Sequence, residues 1–132
     1  MTTPELLGLS DLGIAWHDVT EKRKGVRVAT GQGQVAYCFH GDELKSKYKG
    51  STALGYAMAY GVNAIIGHTH RYSLDHCVSG GVKRWAIEGG YLGNPLAPAF
   101  TYAGPAPKVW RRGFLVADAE QKHSPFPKWI DA

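Results

Sequence analysis

Three histidines carry the pattern with the most chemistry in this sequence. His40 closes an apolar run, Val35-Ala36-Tyr37-Cys38-Phe39, and is followed by Gly41-Asp42. His68 and His70 lie in Gly67-His68-Thr69-His70-Arg71, directly after a second apolar run, Val62 to Ile66. Neutral imidazole suits Zn, Fe, Mn-type and Ni sites, and two histidines one residue apart can both face a loop cavity. If the two apolar runs are neighbouring strands, the three imidazoles meet on one rim. Gly50-Ser51 then opens a helix on the same side, with Ser51 as its cap. Its free N–H groups and positive dipole favour an anion there. Metal-binding histidines beside an anion site point to phosphoester chemistry. His17, His76 and His123 read as solvated or hydrogen-bonding residues, and Asp42 as a loop-capping acid.

The elements that position these residues can be read along the chain. Thr3-Pro4-Glu5 is a helix start, with Thr3 as cap and Pro4 at the first position, and the short helix or turn ends by Gly13. Ile14 to Val19 and Val26 to Thr30 suggest a hairpin across a charged turn. Val35–Phe39 reads as a strand buried on both faces. A loop with Lys45, Lys47 and Lys49 follows it. Ala53, Leu54, Ala57 and Met58 then form an apolar helical stripe that Gly61 terminates. With Val62–Ile66 this makes a βαβ unit whose two strands run parallel. Tyr72–Val78 and Val82–Ile87 flank Ser79-Gly80-Gly81 as a hairpin. Glu88 to Val109 is a long Gly/Pro-rich stretch with aromatics Tyr91, Phe100 and Tyr102. Trp110–Ala117 and Lys122–Phe126 close the chain as an antiparallel pair. The expected fold is α/β: a mixed β-sheet with a βαβ unit.

Composition is consistent with one folded domain spanning residues 1–132. Of these residues, 44% are hydrophobic and 20% charged, which excludes a disordered tail. The 17 Gly and 7 Pro argue for turns and irregular loops over a helical bundle. The formal net charge is +4 and the pI is near 9.1, which fits an anionic ligand without demanding nucleic acid. Cys38 and Cys77 both fall in strand-like stretches and read as free buried thiols, as in a reducing cytosol. There is no secretory signal pattern at the N-terminus and no apolar run of about 18 residues, so a cytoplasmic, non-membrane protein is expected.

His40-Gly41-Asp42 followed by Gly67-His68-Thr69-His70-Arg71 resembles the last two motifs of calcineurin-like metallophosphoesterases. The intervening Gly50-Ser51-Thr52-Ala53-Leu54-Gly55 is similar to phage-type members. So are the Glu88-Gly89-Gly90-Tyr91-Leu92-Gly93-Asn94 stretch and the Trp110-Arg111-Arg112-Gly113-Phe114 strand. The resemblance runs from about Leu6 to Pro127. It implies the C-terminal half of a β-sandwich with flanking helices. It also implies a dinuclear centre of divalent metal (Mn, Zn or Fe), in which His40 and His68 bind the second ion and His70 the first. Two metals would clamp a phosphate and activate a water. Ser51, Arg71 and Asn94 are the candidate phosphate-side residues, with Lys45, Lys47 and Lys49 near the rim.

The family's earlier motifs are missing. There is no Asp-x-His motif, no Gly-Asp motif with its bridging carboxylate and no Gly-Asn-His motif. His17-Asp18 reverses the first, and neither Asn63 nor Asn94 is followed by His. Three readings follow. One is a split phosphoester hydrolase whose other motifs come from a complementing N-terminal-half chain. The second is a non-catalytic, self-associating module that binds nucleotide, nucleic acid or protein and buries its exposed face as a homo-oligomer. The third is a complete enzyme with a three-His mononuclear site.

Overall fold

The two apolar runs do become parallel neighbours. In a computed structural model that describes residues 3–15, 25–31, 33–44, 50–94, 96–104, 110–116 and 126–129, β2 (Gln34–Phe39) pairs parallel with β3 (Asn63–Ile66), from Ala36 opposite Asn63 to Phe39 opposite Ile66. Helix α2 (Ser51–Tyr60) crosses between them and stops at Gly61, which takes the left-handed conformation. β4 (Tyr72–Ser79) and β5 (Val82–Gly89) form the expected hairpin, and β5 runs parallel to β3. With β1 (Val26–Gly31) the sheet order is β1-β2-β3-β5-β4, a mixed five-stranded sheet. β6 (Gly113–Val116) and β7 (Phe126–Trp129) form a separate antiparallel pair. The other described elements are a one-turn helix α1 (Thr3–Leu6) and a 3-10 helix over Pro98–Ala103.

Both faces of the sheet centre are occupied. On one, Ala53, Tyr56 and Ala57 of α2 meet Phe39, Ala64, Ile66 and Ala86. The small side chains at Ala53, Ala57, Ala64 and Ala86 let the helix approach closely. On the other, Ala36, Trp85 and Ile87 pack with Val28, Ile65, Leu74 and Leu115, so β6 covers the face that α2 does not. The centre of the sheet is therefore covered on both sides, and β1 and β4 remain as its outer strands. Asn63 extends the short β3 at its start. Its Nδ2 donates to the Val35 carbonyl at 3.0 Å, and its Oδ1 accepts from Trp85 N at 3.1 Å.

Two local expectations are corrected, and a third falls largely outside the described residues. β1 pairs with β2. Of the expected partner Ile14–Val19, Ile14 and Ala15 belong to no strand, and residues 16–19 lie outside the described set. Ser51 is the first helical residue rather than the cap. Gly50 holds the cap position at φ 81 and offers no side chain to cap with, because a Cβ there would run into the Asp75 carboxylate and lie 3.3 Å from the Ser73 Cβ. The buried stripe of α2 is Thr52, Ala53, Tyr56 and Ala57, leaving Met58 exposed. Burying the large Tyr56 ring outweighs burying Met58. The Tyr56 ring lies 4.8 Å from that of Phe39, and its hydroxyl accepts from Glu43 N at 3.0 Å.

Cys38 and Cys77 are free and half-buried. Burial pushes the Cys38 thiol pKa up. Cys38 is therefore expected to react with a disulfide reagent more slowly than a free thiol at pH 8 and to reach full rate only in denaturant, which timed Ellman titration reads directly. Among the described residues, no helix is long and apolar enough to cross a membrane.

Candidate functional site

The parallel pairing of β2 and β3 carries on one step past their ends. Gly67 N and His68 N both donate to the His40 carbonyl, at 3.3 and 2.8 Å. This clamp brings the two side chains together. His68 Nδ1 lies 2.9 Å from His40 Nε2, with the ring centroids 4.7 Å apart and the planes at 72°. One nitrogen can donate to the other in one tautomer. Alternatively, both lone pairs can serve one cation. Two neighbouring ligands about 2.0–2.1 Å from a cation lie about 2.9 Å apart when the angle at the cation is a right angle. The spacing of the two nitrogens therefore fits adjacent positions on one octahedral ion, and is shorter than the roughly 3.3–3.4 Å that two such ligands span at the tetrahedral angle usual for zinc.

His70 is placed differently. Its backbone is in the left-handed region at φ 54, and it is the one non-glycine residue there among those described. Its N–H donates to the Gly67 carbonyl at 3.1 Å, and its own carbonyl accepts from Arg111 N at 2.9 Å. The ring stacks on Tyr91 (centroids 5.1 Å, 13°) and meets Trp110 edge-on at 4.5 Å and Phe100 at 6.2 Å. Burial, and then the proximity of His68 and His40, hold its pKa below the usual imidazole range. The ring is thus neutral at pH 7, and its buried Nδ1 has no hydrogen-bond partner. An orphaned nitrogen of this kind suits a ligand. Among the described residues, however, no group of three or more His, Cys, Asp or Glu is placed to hold a metal ion. The structure pairs His40 with His68 and turns His70 into an aromatic cluster.

Beneath this rim lies a buried charge network. Arg71 is 9% exposed and Glu88, at the end of β5, is fully buried. Arg71 Nη2 donates to Glu88 Oε1 and to Thr52 Oγ1, each at 3.3 Å, and Arg71 Nε lies 3.3 Å from Glu88 Oε2. Burial pushes the Glu88 carboxyl pKa up, opposed by the Arg71 guanidinium and by a hydrogen bond from the Gly50 backbone. The group facing the start of α2 is thus the chain's own Glu88 carboxyl.

No protein-family model, curated protein or solved structure matches the chain.

The remaining candidates take up ordinary roles or fall outside the described residues. Arg71 faces inward, committed to Glu88 and Thr52, because a buried carboxylate at that depth requires a cation. Asn94 is exposed and shapes a turn, its Oδ1 accepting from Leu96 N at 3.0 Å. Ser51 is half-buried at the first position of α2, and Asp42 is half-buried two residues past His40. His76 is exposed on β4. Lys45, Lys47, Lys49, His17 and His123 lie outside the described residues.

Sequence reasoning missed the partnership of Arg71 with Glu88 and the enclosure of His70 by Tyr91, Phe100 and Trp110. The available signal for the first was a lone acid closing the Val82–Ile87 run. For the second it was the concentration of aromatics in a Gly/Pro-rich stretch.

Proposed function

We propose that this chain is the C-terminal part of a metallophosphoesterase-like phosphoester hydrolase, completed by carboxylate motifs from polypeptide outside these 132 residues. The observation that carries the reading is the 2.9 Å approach of His40 Nε2 and His68 Nδ1 at the ends of adjacent parallel strands. His40 and His68 would hold one divalent ion (Mn, Zn or Fe). His70, neutral and with an orphaned buried nitrogen, would turn to a second ion once the missing ligands are present. Bound there, such ions supply Lewis acidity and an activated water. This chain's own part is to hold imidazoles in register through the His40 carbonyl clamp. A cytoplasmic setting fits the two free thiols.

The test is metal titration of the tag-free chain followed by complementation. The wild-type chain should bind Mn or Zn, and His68→Ala should lower affinity at least about tenfold with unchanged thermal unfolding. Phosphodiesterase activity should appear only when the complementing segment is added. A chain that hydrolyses a model phosphodiester alone at an ordinary enzymatic rate would rule out the need for completion. Equal metal binding by wild type and His68→Ala would rule out the site.

A second reading, a non-catalytic self-associating module, is favoured by the exposed apolar side chains Leu6, Leu7, Leu12 and Ile14 near the N-terminus. It requires a stable homo-oligomer by solution mass, stoichiometric metal or none, and no turnover on complementation.

A further inference from the structure

The aromatic cluster around His70 is larger than one histidine needs. Tyr91, Phe100 and Trp110 pack mutually at near-perpendicular angles, with centroids 5.3 to 5.9 Å apart. Phe100 passes the series outward to Tyr102, 6.5 Å away and tilted at 45°. Tyr102 is 76% exposed, on a 3-10 helix that begins with Pro98 and buries none of its residues. Packing around His70 therefore accounts for the inner three rings but not for Tyr102. Arg111, the residue after Trp110, is exposed beside the cluster, and the chain as a whole carries a net charge of +4.

We infer that this aromatic row is a seat for the nucleobase of a phosphoester whose phosphate lies toward His40 and His68. The inference rests on the function proposed above for the phosphate side. It adds the substrate class, a nucleotide or a single nucleic-acid strand. Every base offers a π-face, so an exposed ring joined to further rings makes a sequence-tolerant stacking surface. A neighbouring arginine adds attraction to phosphate and stacking on the base. A protein partner would be served equally by aliphatic residues. What distinguishes this patch is aromatic rings in series beside a cation, leading to a phosphate-directed rim. The positive net charge favours the same ligand.

The test is equilibrium binding in EDTA, so that it does not depend on the metal site. The probes are a fluorescently labelled short oligodeoxythymidylate and an abasic strand of the same length, with AMP and ribose 5-phosphate as the single-unit pair. The base-bearing probe of at least one pair should bind roughly 5- to 100-fold tighter than its abasic counterpart. Tyr102→Ala should remove most of that preference while leaving the thermal transition in place, because the ring is exposed. Preference within the AMP pair identifies a nucleotide ligand. Preference within the strand pair alone identifies nucleic acid. Equal binding of base-bearing and abasic probes, absence of binding, or an unchanged preference in Tyr102→Ala would overturn the inference. If metal titration succeeds and base preference is absent, the hydrolase reading stands and the nucleobase seat is lost. If base preference is present and metal binding is absent, the reverse holds.

Discussion

Glu88→Ala is expected to destabilise the chain by about 3–5 kcal/mol, a large part of the roughly 5–15 kcal/mol that holds a domain together. The reason is the state of Arg71 after the change. Arg71 is 9% exposed, cannot shed its proton, and would lose the carboxylate it is paired with at 3.3 Å while keeping its contact with the Thr52 hydroxyl. Urea unfolding of wild type and variant reads the difference, and a loss below about 1 kcal/mol would refute the assignment. The pair is not expected to be the cheapest way to fill the space. Replacing both partners by apolar residues, Arg71→Met with Glu88→Leu, should restore much of the lost stability, since a well-packed apolar pair often equals a buried ion pair.

The same residue sets a pH dependence whose sign can be worked out. Burial raises the folded-state pKa of Glu88 above its ordinary 4.5, against the opposing pull of Arg71. The folded state therefore holds the proton more tightly than the unfolded state does. The stability contributed by this group is full below the ordinary value and is lost as pH rises through the folded one. Glu88→Gln cannot titrate, so the difference in stability between wild type and Glu88→Gln should drift against wild type as pH rises from 4.5. A difference that is flat with pH, or that drifts the other way, would contradict the burial-dominated shift.

Gly90→Ala is the second change expected to be severe. Gly90 has φ +74, and a Cβ there would lie 2.8 Å from the Arg111 carbonyl oxygen, a backbone atom that no side-chain rotation can move. The positive φ alone costs about 1–2 kcal/mol. The clash adds to it by pushing apart the segments that meet at the Tyr91–Arg112 bridge. Tyr91 N donates to the Arg111 carbonyl at 3.1 Å, and Gly113 N to the Tyr91 carbonyl at 3.0 Å. Both bonds lie in the path of the displacement. Gly80→Ala is the control, because Gly80 has φ +58 with no atom within 4 Å of the added carbon. Gly90→Ala should cost about 1–3 kcal/mol more than Gly80→Ala. It should also move the His70 ring-proton shifts that stacking on Tyr91 and Trp110 produces. Equal costs for the two variants would mean that the 110–113 segment yields freely.

The legibility of this chain divides by range. The strands Val35–Phe39 and Val62–Ile66, the helix between them, its stop at Gly61 and the hairpin through Ser79-Gly80-Gly81 were readable because each is a local matter of apolar runs, caps and turn residues. The meeting of His40 and His68 was readable for the same reason. Once two consecutive runs form a βαβ unit, the residues just past their ends must be neighbours. The pairing of β1 with β2 was not, because nothing local in Val26–Gly31 singles out Gln34–Phe39 as its partner. Tyr56 was overlooked because a 3.6-residue stripe counts apolar side chains and does not count a tyrosine whose hydroxyl finds two backbone donors.

By itself, the sequence determined an α/β domain with a βαβ unit and placed a histidine at the end of each of its parallel strands. Only the tertiary structure decided what each polar group faces. It turned Arg71 away from the rim onto Glu88, gave the Glu88 carboxyl to the start of α2, and packed the His70 ring among aromatic rings while His40 and His68 paired with each other. The physical reason is that strand ends follow from short-range chain geometry. The partner of a buried charge or an aromatic ring is chosen by desolvation among side chains distant in sequence, and only the packed sheet and helix bring those together.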